Sequence, residues 1–248
     1  MEQIAFVTGA DRGLGRALTA RLLQKGWRVF AGQYMPDWPE LDALVAQYPD
    51  RLTLIPLDVS SVESVRAAAQ MVGEAVDRVD LLINNAGVTS PAMRSSIREL
   101  QDYADMHRMY DINALGPLRV VEAFLPLTDR SSMKRLCFVS SEAGSINRCE
   151  RQVGYGYRMS KAALNMAVSI LFNILRPEGY TFRLYQPGWM RSYMLGSKST
   201  EGVLEPEESA VPAVAYFLRD RAVDLHNDAR SDEDRLVMRD HQGREWPW

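Results

Sequence analysis

The chain of 248 residues is poor in most of what marks specialised proteins. It has two cysteines, Cys137 and Cys149. That number excludes a disulfide framework and a cysteine-based zinc cluster. Three histidines, His107, His226 and His241, form no ligand constellation, so no metal site is expected. No run approaches the roughly 18 apolar residues of a membrane span. The opening Met-Glu-Gln-Ile-Ala-Phe-Val lacks a basic region followed by a long apolar core, so no signal peptide is expected. No repeat or low-complexity segment is visible, which excludes collagen, coiled-coil and solenoid architectures. Net charge is only −3, so no overall basic excess announces a nucleic-acid surface. What is present is ordinary globular composition, 46% hydrophobic and 25% charged, on a chain of a size for one sizeable core. A reduced, cytoplasmic enzyme occupying residues 1–248 as a single domain is the expected class.

Short apolar runs alternate with longer helical patterns. Strands are expected at Ile4–Val7, Trp27–Ala31, Leu52–Leu57, Asp80–Asn84, Arg135–Ser140, Thr181–Tyr185 and Leu236–Met238. Helices are expected over about 13–25, 38–47, from a Ser60 cap through 77, 100–127, 156–175 and 207–219. Strands that are apolar throughout must be covered on both faces. The expected fold class is therefore α/β: a doubly wound, seven-stranded parallel sheet with helices on both faces. Ligands of such sheets sit at the carboxyl ends of the strands. The helices over 100–127 and 156–175 are apolar nearly all round. The sheet covers one side of each; a second copy in a homodimer or homotetramer, or neighbouring helices of the same chain, covers the other.

Directly after the first strand comes Thr8-Gly9-Ala10-Asp11-Arg12-Gly13-Leu14-Gly15, opening a helix. Glycines allow the tight turn and let backbone N–H groups approach a pyrophosphate at the helix N-terminus. An NAD site wants an acidic residue about 20 residues further on, to bind the ribose 2′-hydroxyl. Here Ala31-Gly32-Gln33-Tyr34 has no carboxylate before Asp37, and Arg12 is placed to meet a 2′-phosphate. NADP(H) is expected over NAD(H), unless Asp37 swings in and Arg12 faces solvent. Tyr157 and Lys161 lie four residues apart on a helix, hence on one face. A nearby cation is expected to lower the phenol's pKa and fit it for acid–base work. Ser140-Ser141 ends a strand at the functional edge. Gly116 and Pro117 are expected to distort the helix around Asn113 and free groups there to bind water.

Together, Thr8-Gly9-x-x-x-Gly13-x-Gly15, Asp58-Val59, Asn84-Asn85-Ala86-Gly87, Asn113, Ser141, Tyr157-x-x-x-Lys161 and Pro187-Gly188 resemble the short-chain dehydrogenase/reductase superfamily over nearly the whole chain. The resemblance implies a Rossmann fold with a cofactor loop at 8–15 and a catalytic half over about 110–200. It implies a tetrad of Asn113, Ser141, Tyr157 and Lys161. Tyr157 would exchange the proton with a carbonyl oxygen that Ser141 polarises. Lys161 would tune the tyrosine and bind the nicotinamide ribose, and Asn113 would hold a relay water. Gly9, Arg12, Gly13, Leu14, Gly15, Asn85, Ala86 and Gly87 would hold the cofactor, with Asp58 and Val59 at the adenine and Pro187 and Gly188 at the nicotinamide.

A narrower resemblance joins Ser140–Ile146, Tyr157–Met166, Pro187-Gly188-Trp189 and Gly243–Trp248 to the C-factor and sniffer-type carbonyl reductase branch. That branch implies an NADP-dependent reductase of small-molecule carbonyls or alcohols or, alternatively, a dinucleotide-binding signalling protein with incidental catalysis. Ser141 and Tyr157 are 16 residues apart, about three more than is usual in the superfamily; if the lengthened loop folds differently, Ser140 replaces Ser141. Ser192 stands where the family often has a threonine. Arg94, Arg148, Arg151 and Arg191 on the substrate loops suit a carboxylate or phosphate, or are simply solvated. Met93, Trp189, Met190 and Met194 line an apolar pocket or form a lid.

Overall fold

A computed structural model describes residues 2–36, 38, 40–219 and 232–248. Asp37, His226 and the side chain of Met93 lie outside the described residues. Seven strands form one parallel sheet: β1 (Ile4–Val7), β2 (Arg28–Gln33), β3 (Leu52–Pro56), β4 (Leu81–Asn84), β5 (Arg135–Val139), β6 (Thr181–Gln186) and β7 (Met238–Asp240). Their order is β3-β2-β1-β4-β5-β6-β7. Successive side chains point to opposite faces, and this chain fills both. Ile4, Phe6, Leu82, Leu136, Phe138 and Leu184 face one core, built with α3 (Val62–Ala75), α5 (Gly116–Thr128) and α6 (Tyr155–Leu175). Ala5, Val7, Leu81, Ile83, Cys137 and Tyr185 face the other, built with α1 (Gly13–Gln24), α2 (Asp42–Gln47) and α7 (Pro206–Leu218). The doubly wound arrangement follows from strands that offer apolar groups on both sides.

Several boundaries differ from expectation, each for a local reason. The helix cap is Ser61, whose hydroxyl accepts from Ser64 N at 3.2 Å. Ser60 instead binds Asp58, its amide at 2.9 Å and its hydroxyl at 2.6 Å. The second strand runs on to Gln33 because it pairs with β3 as far as Gln33 opposite Pro56. The last strand starts two residues late, where Met238 meets Leu184. Its end is fixed by Asp240, whose Oδ1 accepts from the amides of Gln242 and Arg244, both at 2.9 Å. The helix expected over 38–47 begins only at Asp42.

The helix expected over 100–127 is two helices, α4 (Tyr103–Tyr110) and α5, joined by a π turn at Asp111–Leu115. Pro117 at the start of α5 has no N–H to continue the regular ladder. Gly116 lets this corner press on the loop after β3; a Cβ there would lie 3.0 Å from Val59 Cγ2.

Candidate active site

Strand order reverses between β1 and β4, and the two loops at that point are laced together. Thr8 Oγ1 accepts from the amides of Asn85 at 3.0 Å and Ala86 at 2.9 Å. Asn85 Nδ2 donates back to Thr8 O at 3.0 Å and Gly9 O at 3.1 Å. Asn85 thus shapes the glycine loop with its side chain, and Thr8 is a site residue that the sequence reading passed over. The loop has no room for side chains: a Cβ on Gly15 would sit 1.9 Å from Gly9 O, and one on Gly9, at φ +61°, 2.9 Å from Ala86 Cα. Helix α1 opens directly behind, with no side-chain cap and no acidic residue in its first turn. Bare N–H groups at a helix N-terminus form an anion site, so the chain fits a pyrophosphate.

Arg12 stands at the N-cap of α1, 3.2 Å from Asp11 and 5.1 Å over the Trp38 ring. Buried Asp11, to which the sequence reading gave no role, accepts from Tyr34 N at 3.5 Å. A carboxylate therefore does stand near the end of β2, but it comes from the glycine loop and is paired with Arg12. Gln33 donates to the carbonyls of Met35 at 3.0 Å and Pro36 at 3.3 Å. Leu14 is buried in the core. Asp58 is half-buried at the rim, and Val59 is buried against Gly116.

The catalytic candidates converge on α6. Gly87 lies between them: a Cβ there would be 3.3 Å from Asn113 Oδ1 and 3.6 Å from Lys161 Nζ. Asn113 is fully buried in the π turn. Its Oδ1 accepts from Val88 N at 2.8 Å, and its Nδ2 donates to Val88 O and Ser160 Oγ, both at 2.9 Å. Ser160 in turn donates to Tyr157 O at 2.7 Å. The Asn113 amide is therefore committed to structure, and a relay water would have to be held by the main chain of the altered turn. Ser160 is a positioning residue the sequence reading did not single out.

The two adjacent serines separate cleanly. Ser140 is buried and donates to Asn165 Oδ1 at 2.6 Å, while Asn165 Nδ2 donates to Gly144 O at 3.2 Å. Ser141 is half-buried, caps the short 3₁₀ turn Glu142–Gly144 by accepting from Ala143 N at 3.1 Å, and lies close enough to act on the Tyr157 hydroxyl. The lengthened loop leaves Ser141, not Ser140, beside the phenol.

Burial pushes the Tyr157 hydroxyl above its ordinary value; the Ser141 hydrogen bond and the Arg158 charge pull it back only in part. This corrects the expectation that Lys161 lowers it. Lys161 Nζ lies 5.9 Å from the centre of the tyrosine ring and donates instead to Val139 O at 3.1 Å. Burial lowers Lys161 itself, to about 8. Pro187 and Gly188 follow β6; Ser209 Oγ holds Pro187 O at 2.8 Å, and Gly188 adopts φ +83°. Beyond them Met190 packs into the core while Trp189 is exposed. Ser192 N turns back to Met190 O at 2.9 Å.

A sequence profile described as short chain dehydrogenase matches residues 3–202. The chain belongs to the short-chain dehydrogenase/reductase family. It is 41% identical over 170 residues to C-signal of Myxococcus xanthus, covering 68% of this chain and 93% of that protein. A Burkholderia multivorans short-chain dehydrogenase/reductase with bound NADP superposes with a TM-score of 0.82 at 31% identity, over 100% of both chains. NADPH-bound carbonyl reductase from chicken fatty liver gives a TM-score of 0.82 at 29% identity, covering 100% of this chain and 99% of that one. The sniffer carbonyl reductase of D. melanogaster shares the fold, with a TM-score of 0.83 over 100% of both chains at 20% identity. Family membership makes the chain an oxidoreductase of the hydride-transferring kind.

Proposed function

We propose that the protein interconverts a small-molecule carbonyl and its alcohol with NADP(H), Tyr157 exchanging the proton. The observation that carries this reading is the meeting of Ser141, at the carboxyl end of β5, with Tyr157 and Lys161 of α6, beside a glycine loop that fits a pyrophosphate. A bound nicotinamide dinucleotide would supply or accept the hydride. Gly9, Gly13, Leu14 and Gly15 would hold its pyrophosphate by backbone groups, and Arg12 its 2′-phosphate. Ala86 and Gly87 would leave room for it, with Asp58 and Val59 towards the adenine and Pro187 and Gly188 towards the nicotinamide. Lys161 would bind the ribose.

The raised Tyr157 pKa keeps the phenol protonated at neutral pH, the state of an acid ready to protonate a carbonyl oxygen. Ala143 N binds the Ser141 oxygen, so the serine's own proton, directed at Tyr157 in the free protein, can turn to polarise the same carbonyl when substrate binds. Tyr157→Phe removes the proton donor while retaining the ring. NADPH-driven turnover over an aldehyde and ketone panel should fall by about 10²–10⁴ with cofactor binding kept, and unchanged turnover overturns the role of Tyr157. Arg12→Ala should weaken NADPH by roughly tenfold and spare NADH, as a single lost charge-assisted contact predicts; parallel titrations of both cofactors check it.

The same reading takes the protein to work in the cytoplasm as a homo-oligomer. No helix among the described residues is long and apolar enough to cross a membrane. Met159, Met166, Ile170 and Ile174 leave an apolar side of α6 in water, which a second copy would cover; light scattering on wild type and Ile170→Lys tests this. The likeness to C-signal favours a second reading, dinucleotide-dependent signalling with incidental catalysis. Tight NADPH binding without oxidation over the whole panel would favour it.

A further inference from the structure

The four loop arginines that suggested an acidic substrate divide sharply. Arg94 is paired with Glu201 at 2.9 Å, Arg191 with Glu205 at 2.6 Å and Arg151 with Glu142 at 2.6 Å. Arg148 has no carboxylate partner among the described residues and lies 5.2 Å over the Trp246 ring. It shares a cavity of about 30 Å³ with Arg151, Arg158, Cys149, Glu142 and Trp246. That is room for one water-sized or carboxylate-sized group. Three guanidiniums face one carboxylate there. Two donors in this lining, Arg158 Nε and Trp246 Nε1, are shut off from water and have no acceptor among the described residues. Donors left in that state are destabilising and rare in folded proteins. Burial and the neighbouring Arg151 charge also pull Arg158 below the ordinary guanidinium range, a strain that an anion would relieve.

The pocket's place matters as much as its charge. Arg158 follows Tyr157 on α6 and Glu142 follows Ser141, so the pocket neighbours the proposed site along the chain, while Ser141 and Tyr157 themselves are not among its lining. We propose that this pocket binds a carboxylate or phosphate group, and that the group is the acidic tail of the substrate whose carbonyl lies at Ser141 and Tyr157. Arg148 and Arg158 supply the unneutralised charge, and the guanidinium fork suits a planar oxyanion. The assignment of the tail to the substrate rests on the oxidoreductase reading above; the anion pocket does not.

Benzaldehyde and 4-carboxybenzaldehyde, reduced with NADPH, form a matched pair differing in the anion alone. The expected kcat/KM ratio favours the carboxylated aldehyde by about tenfold or more, and the Arg148→Gln/Arg158→Gln double variant brings the ratio near one. Arg158→Lys retains charge without the fork and should keep an intermediate ratio; near-UV dichroism confirms folding of both variants. Calorimetry with inorganic phosphate at fixed ionic strength should show binding that the double variant loses and that competes with 4-carboxybenzaldehyde. A wild-type ratio at or below one, or a ratio untouched by the double variant, overturns the proposal. Phosphate that binds without competing gives the pocket to a free anion and overturns the substrate-tail assignment. If neither aldehyde is reduced, the oxidoreductase reading falls instead. Calorimetry with 4-carboxybenzaldehyde then decides the pocket: Arg158-dependent binding upholds it, and binding independent of Arg158, or none, overturns it.

Discussion

The two halves of the sheet build their parts of the site by opposite means. Between β1 and β4 the site is made by removing atoms: Gly9 and Gly15 leave backbone surfaces where any side chain would collide, and Gly87 spares a Cβ that would crowd Asn113 Oδ1 at 3.3 Å. Between β4 and β6 it is made by inserting polar atoms into an apolar interior. Asn113, Ser140, Ser160, Lys161 and Asn165 are all at most 3% exposed, and each is held by hydrogen bonds that compensate its loss of water. The first half should therefore be broken by adding groups, the second by deleting them. Within the second half, deletion should separate chemistry from architecture.

The largest effect expected on that account comes from the paired serines. Ser141→Ala removes the donor proposed to polarise the carbonyl oxygen and should lower kcat by about 10²–10³ with little change in melting temperature. Ser140→Ala leaves the buried Asn165 Oδ1 without its 2.6 Å partner and should destabilise by about 1–3 kcal/mol, with a much smaller effect on kcat. Thermal melts and steady-state kinetics on both variants decide it. A reversed pattern would mean that the lengthened loop presents Ser140 to the substrate.

Gly15→Ala tests the other half. The added methyl would meet Gly9 O at 1.9 Å, against backbone that cannot swing aside like a side chain. Overpacking of this kind costs about 1–3 kcal/mol or more. Since the strain falls on the pyrophosphate loop, NADPH affinity should drop by up to roughly a hundredfold, read by fluorescence titration, while the pH dependence of any remaining turnover stays as in wild type.

The same contrast explains what could be read from the sequence. Glycines and strand-end motifs are local, so the loop at 8–15 and all seven strands were legible, within a few residues at their ends. The break in the helix around Asn113 was also legible, because Pro117 announces a missing donor. Partners distant along the chain were not. Asp11 reaches Tyr34, Asn165 reaches Ser140 and Ser160 reaches Asn113 across 47 residues, and nothing in spacing says which buried serine meets which amide. Arg158 looked like an ordinary helix residue until the loop and Trp246 closed over it. The sign of the Tyr157 shift failed for a related reason: sequence separation put a cation nearby, but burial outweighed it and Lys161 turned to Val139 O.

That last point yields a smaller effect of opposite sign. Burial takes Lys161 from 10.5 to about 8 in the folded chain, so between those values the unfolded chain holds a proton that the folded chain lacks. Stability therefore rises with pH across that window, and the penalty is complete below about pH 8. A shift of this size amounts to about 3 kcal/mol. Lys161→Met fills similar space without a charge but leaves Val139 O without its donor, offsetting about 1 kcal/mol. The variant should therefore be more stable than wild type at pH 7, by about 2 kcal/mol in urea melts, and should lose that advantage towards pH 10.5 as it loses carbonyl reduction at every pH. A variant destabilised at pH 7 would show that the buried ammonium contributes more through its hydrogen bond than burial takes away. The second half of the sheet would then be held together by the same charge that the proposed function assigns to the ribose.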